Sequence, residues 1–315
     1  MSCVMCGDQS SQAIAQGVDY EYHTKPDVFK IVACSNCGHV YINPMPTIEE
    51  IPALYPPTYY TVNPQSPNYI KGFILETQTK MGVKRTLNFF KNRAIHSVVD
   101  IGCGNAHRLL KLADVLGNQV KLIGLDLQHE SSTIAAAKEK GVVLVEGNLE
   151  SDLSALPDGE CDFIVMNQVI EHLRDPKIAL QALHQKLSPD GLLLIETPNV
   201  GGVDYRLFKE KYWGHWHIPR HLNLFTQKSL AELANQTGYK VIQQGSLPSP
   251  GPWILSLRNF LGLNSIKKSK GSLKSWAEFI CFRNFFVVAF FTLLDSITIK
   301  LGIPSSNQFV VIGKK

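Results

Sequence analysis

A glycine-rich turn carries the residues best suited to binding a nucleoside. Residues 98–104 (VVDIGCG) follow a strand pattern and precede a helix pattern, which is the context that such a turn requires. Gly102 and Gly104 let the backbone bend sharply and approach a ligand closely. A dinucleotide-binding turn would place a third glycine where His107 stands, so the spacing disfavours a nicotinamide cofactor.

Two carboxylates end neighbouring strand patterns beside this turn. Asp100 lies near the end of the first pattern, at residues 97–101, and Asp126 directly follows the second, at residues 121–125. An acid at Asp100 favours a ligand that carries an ammonium and a sulfonium group, and it repels a pyrophosphate. Asp126 is placed to accept hydrogen bonds from two ribose hydroxyls. The pair therefore predicts a site for S-adenosylmethionine.

Histidines supply the candidate bases, because their pKa lies closest to neutrality. Glu171 and His172 follow the fourth strand pattern, and residues 213–221 hold three of the ten histidines. We predict that His172 is a general base. The predicted acceptor contacts are Glu171, His215, His217, Arg220 and His221. Two structural alternatives stay open, a helix cap at Glu171 and a packed lid at residues 213–221.

Four cysteines near the start of the chain form two CxxC pairs, Cys3 with Cys6 and Cys34 with Cys37. Each pair can present two thiolates to one tetrahedral ion, so together they predict a Zn²⁺ site. Fourfold thiolate coordination leaves no position for water, and the predicted zinc is therefore structural. Redox-active thiols are the alternative. Basic residues are few in residues 1–60, so a nucleic-acid partner is not predicted.

Strand and helix patterns alternate through the rest of the chain. The predicted strands are residues 97–101, 121–125, 142–145, 162–166, 192–195, 239–243 and 308–313. Helix patterns lie between the first five strands, at residues 109–116, 134–140, 169–173 and 178–187. This alternation predicts an α/β fold with a doubly wound, mostly parallel seven-stranded sheet.

These elements together resemble the class I S-adenosylmethionine-dependent methyltransferases, which have a Rossmann-like sheet. The resemblance rests on residues 100–106, on Asp126, on residues 147–149 and on residues 161–173. It implies that the glycine turn holds the methionine and ribose moieties, that Asp126 binds the ribose, and that Asn148 and Leu149 contact the adenine. Asn167 completes the expected donor-binding set.

The N-terminal segment, with residues 38–46 (GHVYINPMP), Tyr55, Tyr59 and Tyr60, also resembles bacterial methyltransferases that carry an N-terminal zinc ribbon. Some relatives use a Glu-x-x-Glu-His stretch to hold a divalent cation. Gln168 replaces the first of those acids here, so no catalytic metal is predicted.

Length and composition indicate how many domains the chain can form. Its 315 residues are 44% hydrophobic and 18% charged, which is typical of a folded protein with room for more than one domain. The expected domains are a zinc-ribbon segment without a core of its own (1–60), a helical lead-in (61–95) and a catalytic domain (96–315). An odd count of seven cysteines and no secretory start predict a cytoplasmic protein.

An insertion at about residues 248–304 combines basic and apolar residues. Arg258, Lys267, Lys268, Lys270 and Lys274 precede a helix pattern over residues 276–301 that is rich in phenylalanine. Contact of residues 258–301 with the inner membrane face is one interpretation. Packing against the catalytic domain or against a homodimer partner is the other.

The sequence thus predicts a methyltransferase that acts on a small-molecule, glycan or lipid-linked acceptor, with oxygen preferred as the methylated atom. Methylation at carbon or nitrogen stays open as an alternative. So does a non-catalytic scaffold that binds a partner through the ribbon and the insertion.

Overall fold

The computed structural model describes residues 2–19, 21–56, 69–90, 93–263, 276 and 279–315, with the backbone alone for residues 69–78 and 118. None of the helices in this part of the chain combines the length and apolar character that crossing a bilayer requires. The predicted contributions of Tyr59, Tyr60, Lys267, Lys268, Lys270 and Lys274 lie outside the described residues.

Strands and helices alternate in the middle of the chain. The strands are β1 (Ser11–Gly17), β2 (Phe29–Cys34), β3 (Val40–Asn43), β4 (Ser97–Ile101), β5 (Lys121–Asp126), β6 (Val143–Glu146), β7 (Cys161–Asn167), β8 (Leu187–Pro198), β9 (Asn223–Leu224), β10 (Tyr239–Ser246) and β11 (Asn307–Lys314). The helices are α1 (Tyr69–Phe90), α2 (His107–Leu116), α3 (Ser131–Glu139), α4 (Pro176–Lys186), α5 (Val203–Phe208), α6 (Gln227–Gln236), α7 (Pro250–Phe260) and α8 (Phe285–Lys300). Short 3₁₀ turns occupy Ile51–Leu54, Gly117–Gln119 and Ile170–His172.

The larger sheet has seven strands in the order β10-β11-β8-β7-β4-β5-β6. Strand β4 pairs in parallel with both β5 and β7, and the pairs β5–β6 and β7–β8 are parallel as well. The predicted α/β fold with a mostly parallel seven-stranded sheet is confirmed. All five residues of β4 are buried, and the strand that leads into the glycine turn is an interior strand of the sheet, between β7 and β5.

The chain divides into two compact units. Unit 1 comprises Met1–Pro56, Thr197–Leu230 and Gln244–Phe309, and unit 2 comprises Pro57–Glu196, Ala231–Gln243 and Val310–Lys315. Unit 2 holds the strands and turns at which the donor site is predicted. Unit 1 holds the four N-terminal cysteines, the histidine-rich segment and the insertion.

Unit 1 contains a four-stranded sheet of its own, in the order β1-β2-β3-β9. The pairs β1–β2, β2–β3 and β3–β9 are antiparallel, and Tyr41 of β3 lies opposite Asn223 of β9. Ile31 and Ile42 share one buried cluster with Trp213, Leu222 and other apolar side chains from residues 200–224. The N-terminal segment therefore obtains its core by packing against residues far along the chain.

The predicted helix over residues 276–301 is interrupted, since Trp276 and Phe279 are helical but residues 280–284 are not. Helix α8 starts at Phe285, because the Asn284 side chain caps it by accepting a hydrogen bond of 3.1 Å from the Phe286 N–H. Residues 281–284 lie in a turn before this cap. The sequence pattern missed the break because its apolar character continues through the turn.

Candidate active site

The glycine turn sits between β4 and α2, where the sequence predicts it. Gly102 and Gly104 have positive φ angles of 67° and 53°, and Ala106 continues the left-handed conformation with φ of 54°. The N–H of Gly102 donates a 2.7 Å hydrogen bond to the carbonyl of Leu125 at the end of β5. A side chain at position 102 would collide with the protein, since a Cβ there would lie 2.5 Å from Cγ2 of Val169.

Asp126 is held in a fixed orientation at the carboxyl end of β5. Its Oδ2 accepts a 2.7 Å hydrogen bond from the N–H of Gly104, and its Oδ1 accepts one of 2.7 Å from the N–H of Leu127. The carboxylate is half-buried. Because each carboxylate oxygen has more than one acceptor position, Asp126 can still accept hydrogen bonds from a pair of hydroxyls.

Asp100 lies at the same edge of the sheet, near the end of β4, and is 5% exposed. Burial raises the pKa of this carboxyl to about 6, while the nearby Arg108 guanidinium acts to lower it and Asp126 raises it further. Nε of Arg108 lies 4.0 Å from Oδ2 of Asp100. A cationic ligand beside Asp100 would favour its ionised form, so the site is suited to a group such as an ammonium.

Three charged residues form a network that reaches Asp100 through Arg108, and no sequence pattern predicts it. Arg85 of α1 pairs with the buried Glu196 of β8, and Nη2 of Arg108 lies 3.5 Å from Oε2 of the same glutamate. Burial, together with the charge of Arg108, lowers the pKa of Arg85 to about 10. A signal for Glu196 was present, since it follows the predicted fifth strand much as Asp100 and Asp126 end theirs. Nothing local marked the two arginines.

The other predicted donor contacts occupy neighbouring strand ends. Asn148 is exposed after β6, and its Oδ1 accepts a 2.9 Å hydrogen bond from the N–H of Glu150. Leu149 beside it is buried. Asn167 is the exposed last residue of β7. Strands β6, β5, β4 and β7 are successive neighbours in the sheet, so these residues share one edge with Asp100 and Asp126.

Glu171 and His172 form the 3₁₀ turn that follows β7. Glu171 is fully buried at 0% exposure, whereas His172 is half-buried. The N–H of His172 donates a 2.9 Å hydrogen bond to the carbonyl of Val169, the residue that touches the glycine turn. The imidazole is therefore carried by a short turn that is anchored to the end of β7 in unit 2.

Comparisons with known proteins identify the family of the chain that carries these strand ends. A family model described as a methyltransferase domain matches residues 75–244, which is more than half of the chain. The chain belongs to this methyltransferase family. Within the methyltransferase match lie the glycine turn, Asp126 and residues 170–172.

Among curated relatives, the chain is 34% identical over 144 residues to a probable S-adenosylmethionine-dependent methyltransferase of Mycolicibacterium smegmatis, covering 46% of the chain and 52% of that protein. It is 28% identical over 113 residues to the ubiquinone biosynthesis O-methyltransferase of Colwellia psychrerythraea, covering 35% and 45%. The chain thus spans about half the length of these two relatives. A solved methyltransferase from Archaeoglobus fulgidus is 18% identical, with a TM-score of 0.46, over 79% of this chain and all of that one.

The predicted acceptor residues of the methyltransferase that lie in unit 1 are clustered. The His221 ring lies 6.3 Å from that of His215 and 4.9 Å from that of His217. Nδ1 of His221 lies 2.7 Å from the carbonyl oxygen of His215, so Nδ1 carries the proton of the neutral ring. Burial lowers the pKa of His215 to about 3, which keeps that ring neutral.

Arg220 occupies a different environment from these histidines. Its Nη1 and Nη2 donate to the Asp19 carboxylate at 3.1 and 2.8 Å, and its Nε donates to the carbonyl of Leu54 at 2.7 Å. Both side chains of the ion pair are 0% exposed. Arg220 therefore holds the N-terminal segment against residues 197–230. No local sequence pattern identifies Asp19 as its partner.

The four cysteine side chains of unit 1 converge. Their Sγ atoms all lie within 4.8 Å of one another. The Sγ atoms of Cys3 and Cys37 are 3.6 Å apart, and those of Cys6 and Cys34 are 3.5 Å apart. A tetrahedral zinc with Zn–S bonds of about 2.3 Å holds its sulfurs about 3.8 Å apart, so the donor set fits such an ion.

Proposed function

We propose that this methyltransferase transfers a methyl group from S-adenosylmethionine to an oxygen atom of a small-molecule, glycan or lipid-linked acceptor. The observation that carries the proposal is the placement of Asp100 and Asp126 near the ends of adjacent parallel strands, beside a left-handed glycine turn. The preference for oxygen is supported by the similarity to an O-methyltransferase and by a histidine close to the donor-binding edge.

Each part of the donor has a suitable group at the edge of the sheet. The Asp126 carboxylate would accept hydrogen bonds from the ribose hydroxyls, while Asp100 would face the ammonium group. Asn148 and Leu149 would contact the adenine from the end of β6, and Asn167 would approach from the end of β7. When bound, S-adenosylmethionine supplies an electrophilic methyl group on a sulfonium.

The residues of the chain would act mainly by holding the acceptor in line with that methyl group, since alignment alone supplies much of the rate in such a displacement. A hydroxyl acceptor must also lose its proton. We propose that His172 removes it. Glu171 beside it is fully buried, so its contribution to acceptor binding stays a prediction. The roles of His215, His217 and His221 as acceptor contacts stay predictions.

We further infer that Cys3, Cys6, Cys34 and Cys37 hold a structural Zn²⁺. The converging sulfurs support this, because four thiolates leave no open coordination position for catalysis. The ion would connect the loop near the N-terminus to the end of β2 and so fix strand β1 against its neighbour.

A pair of glycine variants tests the placement of the donor on the turn. Gly104→Ala adds a methyl group where no protein atom lies within 4 Å, in a conformation that Ala106 already adopts. We expect it to cost only about 1 kcal/mol of stability but to weaken binding of S-adenosylhomocysteine at least about tenfold, which corresponds to about 1.4 kcal/mol of steric interference.

Gly102→Ala is the matched variant, because its new Cβ would meet Val169 rather than open space. We expect this variant to lose about 1–3 kcal/mol of stability through overpacking. Thermal unfolding and calorimetric titration separate the two effects. A Gly104→Ala protein that binds S-adenosylhomocysteine as tightly as the unmodified chain would place the donor elsewhere.

The acceptor proposal is tested with methyl-labelled S-adenosylmethionine and panels of hydroxylated small molecules, glycans and lipid-linked sugars. Mass spectrometry of the labelled product identifies the methylated atom, since a methyl ether, an N-methyl and a C-methyl group fragment differently. Label transferred to oxygen supports the proposal. Transfer to carbon or nitrogen would refute the oxygen assignment and leave the donor assignment intact.

A further inference from the structure

Helix α8 of unit 1 exposes a continuous apolar stripe. Phe286, Phe290, Leu293, Ile297 and Leu301 are 79%, 61%, 60%, 48% and 71% exposed. Their spacing of three or four residues places them on one side of the helix. Exposed apolar side chains are ordinary when they are scattered, but a row of five large ones along one helix is not.

The opposite face of α8 is firmly packed. Phe291 stacks on Trp253 of α7 with ring centroids 5.4 Å apart, and Val287 is buried in the same cluster. Asp295 is buried, and its carboxylate accepts hydrogen bonds from the indole N–H of Trp253 at 2.8 Å and from the N–H of Ser249 at 2.7 Å. The helix is thus fixed by one face, and its stripe points to solvent.

Aromatic side chains outside the stripe are exposed in the same part of unit 1. Phe260, Trp276, Phe279 and Phe285 are between 53% and 58% exposed, and Phe282 is 39% exposed. An aromatic side chain buries about 150–250 Å² when it is covered. These residues therefore add exposed aromatic surface to that of the stripe.

The sequence of this region is positively charged, since residues 248–304 contain seven Lys or Arg residues against two acids, Glu278 and Asp295. Of these charged residues, the structure describes Arg258, Arg283, Lys300 and Asp295. Asp295 is buried inside unit 1, whereas Arg283 and Lys300, near the two ends of α8, are exposed. No acid lies on the stripe itself. The chemistry complementary to this surface is an apolar layer bordered by negative charge.

We propose that the α8 stripe binds the surface of an anionic lipid bilayer. Helix α8 has 16 residues and is therefore about 24 Å long, which suits a helix that lies in the plane of the interface with its apolar face among the lipid chains. In a symmetric dimer, the positive charges around the stripe would face the same positive charges of the second copy and repel them. Anionic lipid headgroups would instead neutralise these charges. The proposal does not depend on which acceptor is methylated.

Flotation of the full-length protein with vesicles tests this proposal. Vesicles of phosphatidylcholine alone are compared with vesicles of equal parts phosphatidylcholine and phosphatidylglycerol, at low and at high salt. We expect binding to the anionic vesicles, weakened by salt, and at least about tenfold weaker binding to the neutral ones, because several cations each contribute to attraction. Absence of binding to anionic vesicles at low salt would overturn the proposal.

Two double variants make the test specific to the stripe. Phe286→Ser with Phe290→Ser removes two exposed rings and is expected to reduce vesicle binding more than about tenfold. Val115→Ser with Ile178→Ser is the matched control, since these residues of unit 2 are 61% and 52% exposed and should leave binding unchanged. Unaltered binding by the phenylalanine variant would contradict the assignment to α8.

Light scattering without vesicles measures whether a second copy of the chain binds the stripe instead. A dimer that dissociates in the Phe286→Ser, Phe290→Ser variant, with no vesicle binding by the unmodified chain, would assign the stripe to a second copy instead. Binding of S-adenosylhomocysteine is measured on the same samples. If the unmodified chain binds S-adenosylhomocysteine but no vesicles, the membrane proposal fails and the proposed enzymatic function is unaffected.

Discussion

Replacing Cys34 by serine is expected to abolish zinc binding and to destabilise unit 1 more than any other single change. Structural zinc in small cysteine sites contributes about 10–16 kcal/mol of apparent binding free energy, which rivals the whole stability of a typical domain. Unit 1 also has an apolar core around Ile31 and Trp213. If that core retained most of the fold and only about 3 kcal/mol were lost, the Tm would still fall by about 6–12 °C.

The measurements for this variant are metal content and thermal unfolding. We expect one zinc per unmodified chain, none in Cys34→Ser, and rapid proteolysis within residues 1–56 of the variant. Cys281→Ser is the control, because Cys281 is a half-exposed thiol outside the cluster. An unmodified protein that contains no zinc and unfolds at the same temperature with and without a chelator would contradict the assignment.

Replacing His172 by glutamine is expected to lower the rate of methyl transfer at saturating donor about 10²–10⁴-fold, the usual contribution of a general base. Glutamine preserves hydrogen bonding but cannot accept the proton of the acceptor hydroxyl. Affinity for S-adenosylhomocysteine should change little, since the proposed donor contacts lie on other residues. The limb of the pH–rate profile that depends on an unprotonated base should disappear.

His96→Gln is the matched control for this variant. His96 is exposed and directly precedes β4, so it stands at the amino end of the sheet, away from the strand ends that carry Asp100 and Asp126. We expect it to retain the full rate. If His172→Gln also retains the full rate on the native acceptor, then His172 is not the base.

The sheet was predictable because each of its central strands is a local pattern. Strand β4 has the predicted bounds, β5 ends one residue later than predicted, and β6 both starts and ends one residue later. Their short apolar runs are separated by segments with helical periodicity, which is the pattern of alternating strands and helices. Asp100 and Asp126 could be placed for the same reason, since position along a strand fixes which edge of a parallel sheet a residue occupies.

Long-range pairings account for most of what the sequence did not reveal. Tyr41 and Asn223 pair across more than 180 residues, and a two-residue strand such as β9 has no periodicity to detect. The ion pairs Arg220–Asp19 and Arg85–Glu196 likewise join distant segments. The sequence does not show which acid a given arginine pairs with. An arginine that is buried in an ion pair therefore cannot be distinguished in the sequence from one that binds a ligand.

Calorimetric titration with S-adenosylhomocysteine tests most directly whether a nucleoside donor binds beside the two carboxylates at the glycine turn. We predict one site per chain. Its affinity should fall as the pH drops from about 7 to below about 6, because burial raises the pKa of Asp100 to about 6 and only the ionised carboxylate attracts the ammonium group of the ligand. No binding of S-adenosylhomocysteine at any pH, or binding of NADH in its place, would contradict the account.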